Sequence, residues 1–246
     1  MIRSFVVAAA LPLMLLAGCG ETGGNTIAAT NAPAGNIAAP AGQSWTETVE
    51  KTAEGGYRVG NPNAPVKLVE YGARTCPTCG RFGREGSQPL LEKYVSTGRV
   101  SFEFRDYLVH GAPDLAAAIV GTCGGAGPFF PMLEQMFAIQ DDYLTKLQNI
   151  PPELQARMQT QTPQQTLATL AEQMGLIDFA KQRGVSEQQV RQCLADQSRI
   201  DAMVKVTEAA TKGGEVTGTP TFLINGARAE ATTWEQLEPQ LKGAGG

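Results

Sequence analysis

Hydrophobic and polar positions divide the 246-residue chain into stretches of different period. An unbroken apolar run, Phe5 to Leu16, stands near the start, and from Gly20 to about Ser44 hardly a large apolar residue occurs. Val66 to Tyr71 is then a short β-branched and apolar run introduced by Asn61-Pro62-Asn63-Ala64-Pro65, the mark of a buried strand after a turn. Gly80 to Tyr94, with Phe82, Leu90, Leu91 and Tyr94, predicts a helix interrupted near Pro89. Between residues 112 and 212 the apolar positions recur at three and four: Ala116, Ile119, Val120 and Cys123, then Phe130, Leu133, Phe137 and Leu144, then Leu167, Leu170, Ala171 and Met174. Ser186 and Gln189 fit a capping box for a helix through Val190 and Cys193. A last long helix, Ile200 to Thr211, stops at Gly213-Gly214, and only Gln155 to Gln165 reads as an unassigned connection. Thr221 to Ile224 is a strand, Asn225-Gly226 a tight turn, Ala227-Arg228-Ala229 the start of a partner strand, and Trp234, Leu237 and Leu241 mark a final amphipathic helix. Strands on both sides of a helical block predict one mixed α/β sheet, interrupted by an insertion and flanked by helices on both faces.

Charge and composition narrow the function. Twenty Lys and Arg stand against 24 Asp and Glu, a net charge of -4 without any basic run, which excludes nucleic-acid binding driven by phosphate neutralisation. The 28 glycines and 15 prolines carry no period, so collagen-like and solenoid architectures fall away. His110 is the single histidine, which excludes any metal site built from several imidazoles; with no Ser-Asp pattern nearby it reads as a loop or helix-end residue.

The first segment is an address. Arg3 precedes the apolar run, which is shorter than the roughly 20 residues needed to span hydrocarbon. Leu16-Ala17-Gly18-Cys19 is similar to a bacterial lipobox, in which the Cys19 thiol would receive a diacylglycerol; a plain secretory signal is the alternative. Residues 1–18 are then a signal peptide and 19–44 a flexible tether, giving a cell-envelope protein held to a membrane by lipid and facing the periplasm, inner or outer membrane undecided.

Four cysteines remain, and in an oxidising compartment disulfides persist. Cys76-Pro77-Thr78-Cys79 follows the strand and opens the helix, a redox context. Pro77 suits the first helical position, which leaves Cys76 at the cap, where free N–H groups and the helix dipole favour a thiolate. Cys79 lies one turn on, placed to close a disulfide and to resolve a mixed one from a more buried position. Zinc would want a second CxxC or a His pair, and a copper carrier would have to add His110 to a CxxxC spacing that is absent; a purely structural disulfide is seldom so short.

With Glu70-Tyr71, Cys76-Pro77-Thr78-Cys79 and Val216-Thr217-Gly218-Thr219-Pro220-Thr221-Phe222 in this order around a helical block, the chain resembles the DsbA-like thiol-disulfide oxidoreductases of the thioredoxin superfamily over about Gly56 to Lys242. The resemblance implies a thioredoxin fold over 45–111 and 213–246 with a helical insertion over 112–212, no metal and no organic cofactor. It also implies a cis-proline at Pro220, with Thr219 backbone groups free for an extended substrate, and a buried acid at Glu70 relaying protons to Cys79, against which stands a partly solvated strand residue. Thr78 departs from the His typical of oxidising members, which weakens an inference of strong oxidising power. Partners would be unfolded or partly folded secreted proteins and a redox partner that resets the pair, with the chain a monomer. Disulfide donation is the expected activity; thiol reduction by the same fold and a non-enzymatic copper- or substrate-binding lipoprotein are the rivals, and isomerisation fits less well without a preceding dimerisation domain. Cys123 and Cys193, 70 residues apart, are expected to tie two insertion helices, the alternative being two small buried apolar residues. Arg74 is expected to be exposed, with support of the thiolate as its functional alternative.

Overall fold

The computed structural model describes residues 35–246, so the signal peptide, Cys19 and the first part of the expected tether lie outside the described residues. In chain order the elements are β1 (Val49–Lys51), β2 (Tyr57–Gly60), β3 (Val66–Gly72), α1 (Pro77–Lys93), β4 (Val100–Asp106), α2 (Ala112–Thr122), α3 (Phe129–Ala138), α4 (Gln140–Gln148), α5 (Pro152–Met158), α6 (Pro163–Gln173), α7 (Leu176–Lys181), α8 (Glu187–Ala195), α9 (Gln197–Gly213), β5 (Thr221–Ile224), β6 (Ala227–Ala229) and α10 (Trp234–Gly243). The sheet has the order β1-β2-β4-β3-β5-β6, with β3 parallel to β4 and every other pair antiparallel. This is the mixed thioredoxin sheet with a helical insertion.

Alternation along β3 sends Val66, Leu68 and Glu70 to one face and Lys67, Val69 and Tyr71 to the other. The first face is the deeper core: Phe82 of α1, Phe129, Phe130 and Phe137 of α3, and Trp234 and Leu237 of α10 cluster with Leu68, Phe102 and Phe104. Phe129 stacks on Tyr57 of β2 with ring centroids 4.1 Å apart. So α3, inside the inserted segment by sequence, is part of the redox-fold core by packing. The remaining insertion helices, with Met136 from the opposite side of α3, enclose a second core of Ile119, Tyr143, Leu170, Met174 and Leu194. On the other face α9 packs Val206 and Ala210 against Tyr71 and Leu223 at one end only. Beyond it the sheet presents Arg58, Lys67, Ser101, Glu103 and Arg105, a polar row that offers no helix an apolar surface.

Several expectations need correction. α1 continues through Pro89: its ring withholds an N–H from the Glu85 carbonyl, but Glu85 is exposed, so water can serve that oxygen. Gln155 to Gln165 is not a connection; α5 covers its first part, and Thr162 and Gln165 make a complete capping box for α6. The box expected at Ser186 is half made. Ser186 accepts from the Gln189 N–H, but the Gln189 side chain reaches the Cys123 carbonyl instead. α9 begins at Gln197, three residues before Ile200, because Asp196 caps it through the Ser198 N–H. The expected tether also ends early. The Ile37 N–H donates to the Thr97 carbonyl at 2.8 Å and Trp45 Nε1 to the Ile37 carbonyl at 2.7 Å, so the chain is seated on the fold from Ile37 onward.

Candidate active site

β3 delivers the chain to Ala73-Arg74-Thr75, and Cys76 caps α1 in an extended conformation, φ −80° and ψ 117°, with Pro77 at the first helical position. Cys76 is the N-cap residue, so its sulfur lies at the open N–H end of α1. Cys76 and Cys79 are free thiols, 7% and 0% exposed, while Pro77 and Thr78 between them are exposed. Cys76 is thus the reachable sulfur and Cys79 the covered one.

Their acidities split accordingly. A hydrogen bond from Cys79, then one from Thr219, then the Cys79 and Thr78 backbone N–H groups outweigh burial and lower the Cys76 thiol to about 5. Burial above all, then the bond to Cys76 and the charges of Glu70 and Cys76, push Cys79 well up. Glu70 lies beneath the pair, 1% exposed, with one carboxyl oxygen lacking any hydrogen-bond partner. Burial, followed by the charges of Cys76 and Asp106, raises it well above the usual carboxylate range, which favours its protonated form. The loop into β5 closes the site: the Thr219–Pro220 bond is cis, Pro220 is buried, and the Cys76 sulfur meets the Thr219 carbonyl at 3.4 Å.

The approach to Cys76 is held by groups that sequence reasoning missed. Gln140 of α4, fully buried, donates from Nε2 to the carbonyls of Arg74 and Cys76, each at 2.9 Å. Tyr143 donates to the same Arg74 carbonyl. Asp114 of α2, 1% exposed, accepts from the Thr75 N–H at 3.1 Å, from the Thr75 hydroxyl, and from the His110 N–H at 2.6 Å. Thr75 and Asp114 are therefore the hydroxyl–carboxylate pair that the sequence did not place beside His110. Asp114 stands out as an acid in the first turn of an apolar helix; Gln140 gives no such signal, because a glutamine in a helical pattern reads as surface.

Arg74 is neither exposed nor aimed at the thiolate. It is 0% exposed, pairs with Asp106 at 2.8 Å, touches the Met136 sulfur and lies over the Phe129 ring, so the carboxylate at the end of β4 compensates its buried charge. Cys123 and Cys193 are bonded, with Cα atoms 6.0 Å apart, joining the end of α2 to α8. Among the described residues, no group of three His, Cys, Asp or Glu side chains is placed to hold a metal ion.

Comparison with known proteins agrees with this architecture. A family model described as Thioredoxin matches residues 52–243. A protein of Rickettsia conorii, provisionally named protein-disulfide oxidoreductase, is 24% identical over 202 residues, 78% of this chain and 64% of its own. Another, of Rickettsia bellii and similarly named, is 25% identical over 180 residues, 73% of this chain and 61% of its own, so the chain spans about three-fifths of these relatives. The crystal structure of a protein-disulfide isomerase from Novosphingobium aromaticivorans superposes with a TM-score of 0.70 at 27% identity, covering 75% of this chain and 94% of that one. Wolbachia pipientis alpha-DsbA1 shares the fold, with a TM-score of 0.62 at 20% identity over 76% of this chain and 89% of its own. With a redox-fold sheet, a cysteine pair capping its first helix and an inserted helical block, the chain belongs to the thioredoxin family.

Proposed function

We propose that the chain is a thiol-disulfide oxidoreductase that donates its Cys76–Cys79 disulfide to unfolded or partly folded secreted proteins. The observation that carries this reading is the split between two sulfurs one helical turn apart, one at about 5 and the other pushed well above the ordinary thiol value. A thiolate that stable makes Cys76 a good leaving group and favours the reduced pair, so the oxidised pair tends to give its disulfide away. That direction holds despite the absence of an imidazole at Thr78.

In the forward reaction a client thiolate attacks Cys76, the sulfur with residual exposure, and Cys79 leaves with the bonding electrons. Cys79 ends as a thiol because its acidity is so weak, and the protonated Glu70 beneath it is the supporting proton source. A second client thiolate then attacks the client sulfur of the mixed disulfide and releases the stable Cys76 thiolate. An extended client would lie along the Thr219–Pro220 edge, whose carbonyl already meets the Cys76 sulfur. A separate redox partner would reoxidise the pair. Lipid attachment at Cys19 and a periplasm-facing position complete the proposal, on the Leu16-Ala17-Gly18-Cys19 pattern.

The test is mixed-disulfide trapping together with the reduction potential. Cys79→Ser should accumulate Cys76-linked clients in an envelope extract, Cys76→Ser should accumulate none, and the couple should sit nearer the strong oxidants than thioredoxin. A thioredoxin-like potential would replace donation by reduction.

A further inference from the structure

His110, the single histidine of the sequence, stands in the loop between β4 and α2. In the sheet β3 lies between β4 and β5, so the loop leaving β4 and the loop entering β5 flank the Cys76 segment on opposite sides. Thr219 touches the Cys76 sulfur from the β5 side. From the β4 side His110 reaches Thr75, the residue before the nucleophile, with Nδ1 2.7 Å from the Thr75 hydroxyl oxygen.

The hydrogen bonds fix the tautomer. Thr75 owns one hydroxyl proton and gives it to the buried Asp114 carboxylate, an acceptor only. Its oxygen can then only accept from the ring, so Nδ1 carries the imidazole proton. In the neutral ring Nε2 is left with its lone pair, and the side chain is 48% exposed, so this nitrogen is wet. Asp114 also lies against the ring, its Oδ2 3.4 Å from Nδ1. Val109 beside it is one of two large hydrophobic residues exposed among those described, giving that rim an apolar foothold for a client.

Within the disulfide-exchange reading above, we propose that His110 is the general base that takes the proton from an incoming client thiol as its sulfur attacks Cys76. Nε2 accepts the S–H proton, the client sulfur forms its bond to Cys76 Sγ, and the Cys76–Cys79 bond breaks with its electron pair leaving on Cys79. The client sulfur is oxidised and Cys79 is reduced; Glu70 supplies the proton that Cys79 takes up, and the imidazolium returns its own to water. The need is chemical: an ordinary cysteine, near 8.5, is only about 3% ionised at pH 7, so a base at the site can gain up to about 30-fold.

The experiment oxidises two thiols with the full, oxidised chain at pH 7: a reduced cysteinyl peptide, protonated in solution, and 5-thio-2-nitrobenzoate, an aromatic thiol already ionised. His110→Gln keeps a donor for Thr75 but removes the base. It should lower the peptide rate relative to the aromatic rate about 10-fold, and Thr75→Val, which frees the tautomer, should lower the same ratio less. A ratio unchanged in His110→Gln, whether both rates fall or neither does, overturns the assignment. If the unaltered chain oxidises neither thiol, the exchange reading itself fails and this inference with it.

Discussion

At Cys76 burial opposes the thiolate and four hydrogen-bond donors support it, and the donors win. Carbamidomethylation of the reduced protein should therefore reach half its maximal rate near pH 5, where an ordinary thiol would be nearly silent, with Cys79 unmodified; a midpoint near 9 would remove the donors from the account. Because the folded value lies below the unfolded 9.0, this group stabilises the reduced fold fully above pH 9 and loses that contribution as pH falls towards 5. Glu70 has the opposite sign. Its folded value is raised, so the fold is unpenalised below the ordinary 4.5 and loses stability as pH rises above it. Glu70→Gln should match the unaltered protein in urea melts at pH 4, exceed it at pH 7, and release Cys79 more slowly in rapid-mixing exchange. The cysteines were legible from spacing and strand context alone. Asp114, Gln140 and Tyr143 were not, because each acts on Thr75, Arg74 or Cys76 across more than 35 residues of chain, and no periodicity records such a meeting.

Between elements, α1 and α4 interlock at one point. Gly80 in the first turn of α1 lies under Gln140, and a Cβ there would overlap the Gln140 Oε1. Helical Gly→Ala changes ordinarily stabilise by about 0.5–1 kcal/mol. Gly80→Ala should instead destabilise by about 1–3 kcal/mol, the range of overpacked cores. In a Gln140→Ala background the ordinary gain should return, a coupling that a double-mutant cycle in denaturant measures. Gln140→Ala alone also strips one donor from two buried carbonyls, an expected cost of about 1–3 kcal/mol. Long helices were readable because their apolar stripe repeats over three turns. α5 was not, since its seven residues bury no side chain and leave no stripe. The alternation Val100, Phe102, Phe104 that makes β4 is visible in hindsight, although its partners Ser101 and Glu103 are buried as well, which blurs the two faces.

Over the whole molecule, the Cys123–Cys193 bond closes a loop of 70 residues between α2 and α8. Replacing both by Ala should lower stability by at most about 4 kcal/mol, the chain-entropy ceiling for such a loop. The potential of the Cys76–Cys79 pair should not move, since the two pairs share no hydrogen bond; a shifted potential would mean that the insertion transmits strain to the nucleophile. The insertion nevertheless has no clean border, because α3 lends four aromatic or aliphatic side chains to the sheet core. Sequence segments marked where the helices begin, and packing decided to which core each belongs.

The seating of Ile37 on Thr97 has a directional consequence. Thr97 lies just before β4, at the end of the parallel pair where both strands start, whereas Cys76 follows the end where they finish, about 20 Å away along the seven residues of β3. The Arg99 guanidinium also gathers the Gly245 carbonyl at the starting end, so both described termini sit at one pole. Anything that holds the chain upstream of Gly35 would grip the molecule by its base, like the stem of a lamp, with the reactive sulfur turned outward and the sheet standing between the pull and the chemistry.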